Sequence, residues 1–123
     1  MSRDNAYLWD ILNAAKAIQR FIAGVSKEQF LANEEKCEAV SRKFEIIGEA
    51  TKRLSSEMRR QLPEIPWQLA AAMRDVLIHD YDGVNLEIVW KTATEDLPAL
   101  IERLEAYLAA HPPPESDGPQ VNV

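Results

Sequence analysis

The sequence predicts an all-α fold, an antiparallel helical bundle of four main helices. Three observations carry this. Apolar residues recur at the three-and-four spacing of a helical face over long stretches, helix caps punctuate those stretches, and no strand-period alternation of useful length occurs. With no sheet to cover, helices must pack on helices.

Leu8, Ile11, Leu12, Ala15, Ile18 and Ile22 share one face, and Gly24 follows as a stop, which predicts a first helix from Asp4 to Ala23. Ser26 with Gln29 forms a capping box for a short turn. Asn33 then caps a second long helix whose stripe is Cys37, Val40, Phe44, Ile47, Thr51 and Leu54, predicted to end near Arg60. Pro66 suits the first turn of a short third helix over Pro66 to Ile78, because a helix's first N–H groups have no internal partner. Asp80, Asp82 and Gly83 form a turn, and Asn85 caps a fourth helix with the face Leu86, Val89, Trp90, Ala93, Leu97, Leu100, Ile101, Leu104 and Leu108. Pro98 removes one backbone donor from that helix, so a kink is predicted near Asp96 to Leu97.

At 123 residues the chain fits one domain, predicted to occupy 1–110, with 111–123 a disordered proline-rich tail. Cys37 is the single cysteine, so no internal disulfide and no cysteine metal cluster can form, and a reducing, cytoplasmic setting is expected. The N-terminus lacks a secretory pattern and no run approaches a membrane span. A soluble, non-exported protein is expected. Net charge is −6, which argues against a broad basic nucleic-acid face. The segment Lys36–Arg74 nevertheless carries eight basic against five acidic residues, leaving −9 elsewhere, so a local phosphate site is permitted.

The chemistry-bearing segment is Met73–Tyr81, MRDVLIHDY. On a continuous helix Arg74 and His79 would point about 140° apart, so they converge only where the helix ends or loosens. The following turn supplies an ending, and a histidine there feels the negative pole of the helix dipole, which favours imidazolium. Arginine neutralises phosphate through a fixed fork of donors and histidine moves protons, the requirements of phosphodiester cleavage without a metal. One histidine cannot easily serve as both base and acid, which motivates a two-fold homodimer. On chemistry alone a structural role is the commoner one: Arg74 paired with Asp75 or Glu49, His79 at a helix end, and Tyr81 packed with its hydroxyl in water. Glu49, Lys52 and Arg53 are candidates to line a cleft, Lys52 or Arg53 touching phosphate, though such charges more often form surface ion pairs. Trp9, Trp67 and Trp90 are expected to pack in the core, Trp67 being the best candidate for an exception that stacks bases. Cys37 reads as a small buried hydrophobe, and His111 has no chemical company.

The spacing Arg74, His79, Tyr81, with polar Asp75 after the arginine, resembles the signature of the HEPN superfamily and specifically of the HepT toxins. Further stretches share the likeness: IIGEATKRLS (46–55), IPW (65–67), GVN (83–85) and LEIVWKTATEDLP (86–98). The resemblance covers about Tyr7 to Leu108. It implies a dimeric, metal-independent endoribonuclease toxin of a type VII toxin–antitoxin pair, acting on RNA, whose antitoxin is a minimal nucleotidyltransferase of the MntA type. Arg74 and His79 would be the catalytic pair, and Tyr81 the residue that receives AMP. No cofactor is implied. Asp80 and Asp82 suit docking of a basic partner surface. The alternative is a non-catalytic helical interaction module that binds a nucleotidyltransferase or a nucleotide. A di-metal bundle is disfavoured, since no Glu-x-x-His pair occurs.

Overall fold

The computed structural model describes residues 3–67 and 85–111, and these form helices joined by short connections. They are α1 (Asp4–Ile22), α2 (Lys27–Leu31), α3 (Glu34–Arg53), α4 (Ser56–Gln61), α5 (Leu86–Lys91), a π turn (Thr92–Asp96) and α6 (Leu97–Ala110). The fold is all-α, as predicted.

α1 buries Leu8, Ile11, Leu12, Ala15 and Ile18, the stripe read from the sequence. Burying each of the larger side chains stabilises the fold by roughly 1.5–3 kcal/mol. Gly24 follows with φ +73°, a left-handed conformation that an L side chain rarely adopts. The capping box forms as expected: Gln29 N donates to Ser26 Oγ at 3.1 Å and Ser26 N to Gln29 Oε1 at 2.9 Å. Asn33 Oδ1 accepts from Lys36 N at 3.0 Å and opens α3.

α3 buries Cys37, Val40, Phe44, Ile47 and Thr51, and packs along α1. Thr51 is fully buried because its Oγ1 donates to Ile47 O at 2.7 Å, so its hydroxyl does not go unmet. Cys37 is buried as predicted, its Sγ donating to Phe30 O at 3.1 Å.

The second long helix does not reach Arg60. It stops at Arg53, Leu54 turns extended, and Ser55 caps the separate helix α4 by accepting Met58 N at 3.1 Å. The physical reason is Asp4, a carboxylate only 9 % exposed at the start of α1. It accepts from Ser55 N at 3.0 Å and from Ser55 Oγ at 2.6 Å, which holds this residue in its cap conformation. Leu54 stays on the core side, so the apolar pattern runs on past the break.

The contact between Asp4 and Ser55 puts the start of α1 beside the end of α3, so these helices are antiparallel. α6 is antiparallel to α1 as well: Lys16 pairs with Glu105 at 2.9 Å and Asn5 Nδ2 donates to His111 O at 3.3 Å. The interruption expected near Asp96–Leu97 takes the form of the π turn that ends there, with Leu97 N bonding to Thr92 O, five residues back. Pro98 cannot donate to Thr94 O and would crowd it, and the wider turn accommodates both effects.

One tryptophan departs from the sequence reading. Trp67, the best candidate for an exception, is buried as core packing requires, and its Nε1 donates to Leu62 O at 3.0 Å and Arg59 O at 3.2 Å. Trp9 is instead the exposed one, at 39 %. It falls on the flank of α1 shared with Asn5 and Lys16, beside the core stripe. Trp90 is half-buried, its ring 5.2 Å from that of Phe30, which joins α5 to α2. The His111 ring stacks on Tyr107, centroids 4.1 Å apart.

Candidate functional site

Arg74, Asp75, His79 and Tyr81 lie outside the described residues, as do Asp80, Asp82, most of the predicted third helix and the tail beyond His111. The described structure fixes the two residues from which that central segment departs and to which it returns. At one end is Trp67, anchored by its indole N–H. At the other is Asn85, whose Oδ1 accepts from Glu87 N at 3.1 Å and Ile88 N at 3.2 Å to open α5.

The remaining candidates lie on α3. Glu49 and Arg53 face a groove between α1 and α3 with a volume of about 280 Å³. Tyr7 and Asp10 contribute from α1, and Arg42 and Glu45 from α3. Ile46 and Ala50 provide its apolar lining. Two ion pairs run along the α3 side, Arg42 to Glu45 at 3.1 Å and Arg53 to Glu49 at 3.5 Å. Both are solvent-exposed, so each contributes under about 1 kcal/mol to stability and can open at little cost. Lys52 is exposed and does not line this groove.

Sequence reasoning singled out Glu49 and Arg53 but missed Tyr7, Asp10, Arg42 and Glu45. A usable signal existed on α3, where 42, 45, 49 and 53 follow the three-and-four spacing of one helical stripe and all are charged. Nothing in the sequence showed that α1 would bring Tyr7 and Asp10 against that stripe, because which helix lies along α3 is decided by tertiary packing of the buried apolar faces.

The positive segment has a structural counterpart where α3 ends. Arg59 Nη2 donates to Leu54 O at 3.3 Å and Lys52 O at 3.4 Å, capping the last carbonyls of α3. This sets the Arg59 guanidinium against the backbone at the end of α3.

Comparison with known proteins agrees with the motif. The family described as "Ribonuclease HepT-like" matches residues 11–107. A protein described as probable ribonuclease HepT, from Thermococcus cleftensis, is 44 % identical over 99 residues, covering 80 % of this chain and 90 % of its own. A candidate RNase from Caldanaerobacter subterraneus subsp. tengcongensis is 37 % identical over 108 residues, covering 88 % and 96 %. One from Methanocaldococcus jannaschii is 38 % identical over 103 residues, covering 84 % and 85 %. No solved structure matches the chain. On these likenesses, and on a helical fold that agrees with them, the chain belongs to the HepT-like ribonuclease family of the HEPN superfamily.

Proposed function

We propose that this protein is a metal-independent endoribonuclease toxin, with Arg74 and His79 as its catalytic pair. The observation that supports the reading is the family match over 11–107, which spans a segment carrying arginine, histidine and tyrosine at the spacing phosphodiester chemistry can use. In the reaction, the ribose 2′-oxygen attacks the adjacent phosphorus and the P–O5′ bond breaks, leaving a 2′,3′-cyclic phosphate and a 5′-hydroxyl. His79 takes the proton of the attacking hydroxyl, and a second copy of His79 across a two-fold axis gives one to the departing oxygen. Each such proton transfer contributes roughly 10²–10⁴-fold. Arg74 stabilises the charge that builds on the phosphoryl oxygens. The protein therefore works as a homodimer.

Tyr81 is the control point. A minimal nucleotidyltransferase of the MntA type transfers AMP to it: the phenolic oxygen attacks the α-phosphorus of ATP, pyrophosphate leaves, and the phenol proton passes to solvent or a base. The product places a bulky anion two residues from His79, where it competes with RNA for Arg74. The cytoplasm, where RNA and ATP are both present, is the expected setting. No described helix is long and apolar enough to cross a membrane.

The test is cleavage of RNA in EDTA by the parent, Arg74→Ala and His79→Ala proteins. The expected result is cleavage by the parent alone; equal cleavage by all three, or by none, overturns the reading. Intact mass of the protein made together with its nucleotidyltransferase tests the control point, with added AMP expected on the parent and absent from Tyr81→Phe.

A further inference from the structure

We propose that the apolar groove between α2, α3 and the start of α5 is the docking site for the nucleotidyltransferase, which enters it with an aliphatic side chain flanked by lysine or arginine. This deepens the control-point reading and rests on it for the identity of the partner. The groove has a volume of about 440 Å³. Leu31, Ala32, Leu86 and the buried Cys37 supply its apolar walls, and Glu34 and Glu38 line it as exposed carboxylates one turn apart on α3. A concave apolar surface of this kind fits the hydrophobic anchor of a protein partner.

Charge selects what enters. Among the described residues neither Glu34 nor Glu38 forms an ion pair, and no cation lines the groove. An acid in the first turn of α3 has a structural use, since it offsets the helix dipole, and that accounts for Glu34. Glu38 lies beyond the first turn, where the dipole effect has faded. The field reaches the groove's apolar wall: burial, and then Glu34 and Glu38, raise the Cys37 thiol. Two carboxylates repel phosphate, so an RNA strand is kept out and a cationic protein segment is drawn in. The neighbouring cavity on α5 has no such preference. It is lined by Lys27, Glu87, Lys91 and Glu95, two charges of each sign, with Lys27 paired to Glu87 at 3.6 Å. Position along the chain points to the same partner. Leu86 is five residues from Tyr81, and covalent geometry keeps the two within about 18 Å. An interface of ordinary size, about 800 Å² per partner and so about 30 Å across, takes in both the groove and the acceptor phenol.

Two measurements test the docking site. The first titrates the full-length, ¹⁵N-labelled protein with the peptides KKLLKK, KKSSKK and EELLEE and follows amide shifts by NMR. KKLLKK is expected to shift the amides of Ala32, Cys37, Glu38 and Leu86 and to bind about tenfold more tightly than either of the others. Ala32→Trp, which fills the groove, and the double variant Glu34→Gln with Glu38→Gln should each weaken it about tenfold. The second measures AMP transfer from ATP to the protein by the nucleotidyltransferase. Both variants should raise KM for the acceptor protein about tenfold with kcat unchanged, and both should cleave RNA as the parent does. Thermal unfolding of each variant confirms that it folds. Shifts confined to other surfaces, equal binding of KKLLKK and EELLEE, or an unchanged KM in the folded variants overturns the docking site. So does movement of the same amides by the ribonucleotide UUUUU, which would mark the groove as an RNA path. The two readings fail separately. AMP transfer to Tyr81 that ignores the variants removes the docking site alone. A parent protein that never receives AMP removes the control-point reading, while the peptide titration still decides whether the groove takes a basic, apolar segment.

Discussion

Removing the Asp4 carboxylate should loosen the elbow that shapes the α1–α3 groove. Asp4→Ala deletes two accepting oxygens, at 3.0 Å and 2.6 Å from Ser55 N and Oγ. Hydrogen bonds to a charged group contribute about 1.5–3 kcal/mol each, but Ser55 is exposed enough for water to replace part of that. A net loss of about 2–3 kcal/mol follows, including a few tenths from an acidic residue lost in the first turn of α1. For a chain of this length that corresponds to a fall of about 8–12 °C in Tm. Ser55→Ala should cost about 1–2 kcal/mol, since it removes both the α4 cap and the 2.6 Å bond. The two changes share that bond, so the double variant should be less destabilised than the sum of the singles by about 1–2 kcal/mol, measured by urea unfolding. Additivity to within about 0.5 kcal/mol would mean that Asp4 does not hold Ser55, and the account of why α3 stops at Arg53 would be wrong.

Other consequences are directly measurable. Phe30 is fully buried and packs against Trp90, so Phe30→Ala should cost about 3–5 kcal/mol in urea unfolding; under 1 kcal/mol would contradict the packing of α2 on α5. Lys16→Ala breaks an exposed pair with Glu105 and should change stability by less than about 1 kcal/mol in the same assay. Burial, with Glu34 and Glu38 nearby, pushes the Cys37 thiol above its ordinary value of 9.0. Below that value both folded and unfolded chains keep the proton and this contribution to stability is fully present. Above it the unfolded chain ionises first, so stability should fall with rising pH, and Cys37→Ala should reduce the fall. The thiol should also react with a disulfide reagent only after unfolding, whereas rapid labelling of the folded protein would contradict its burial.

Much of the fold was legible because helix caps and apolar stripes are local. Ser26 and Gln29, Asn33, Asn85 and the residues of α1 are decided within a few positions of chain. The break at Leu54 was less legible because the stripe of α3 continues through it and Leu54 remains buried. What holds Ser55 in its cap conformation lies 51 residues away in Asp4. Trp9 was misjudged for a related reason. Trp9 and Trp67 both sit next to apolar residues in sequence, but indole burial depends on a partner for the N–H, which Leu62 O and Arg59 O supply to Trp67. As for the site, residue types and spacing in Arg74, His79 and Tyr81 suggested a chemistry, while the groove required knowing which helix lies against α3.

The central claim is cleavage by 2′-hydroxyl attack under the control of Arg74 and His79, and end-group analysis of the products made in EDTA tests it most directly. The account predicts 2′,3′-cyclic phosphate and 5′-hydroxyl ends from the parent protein, no cleavage of a strand carrying a 2′-deoxyribose at the cut site, and neither product from His79→Ala. Products bearing 5′-phosphate, or cyclic-phosphate products formed undiminished by His79→Ala, would contradict it.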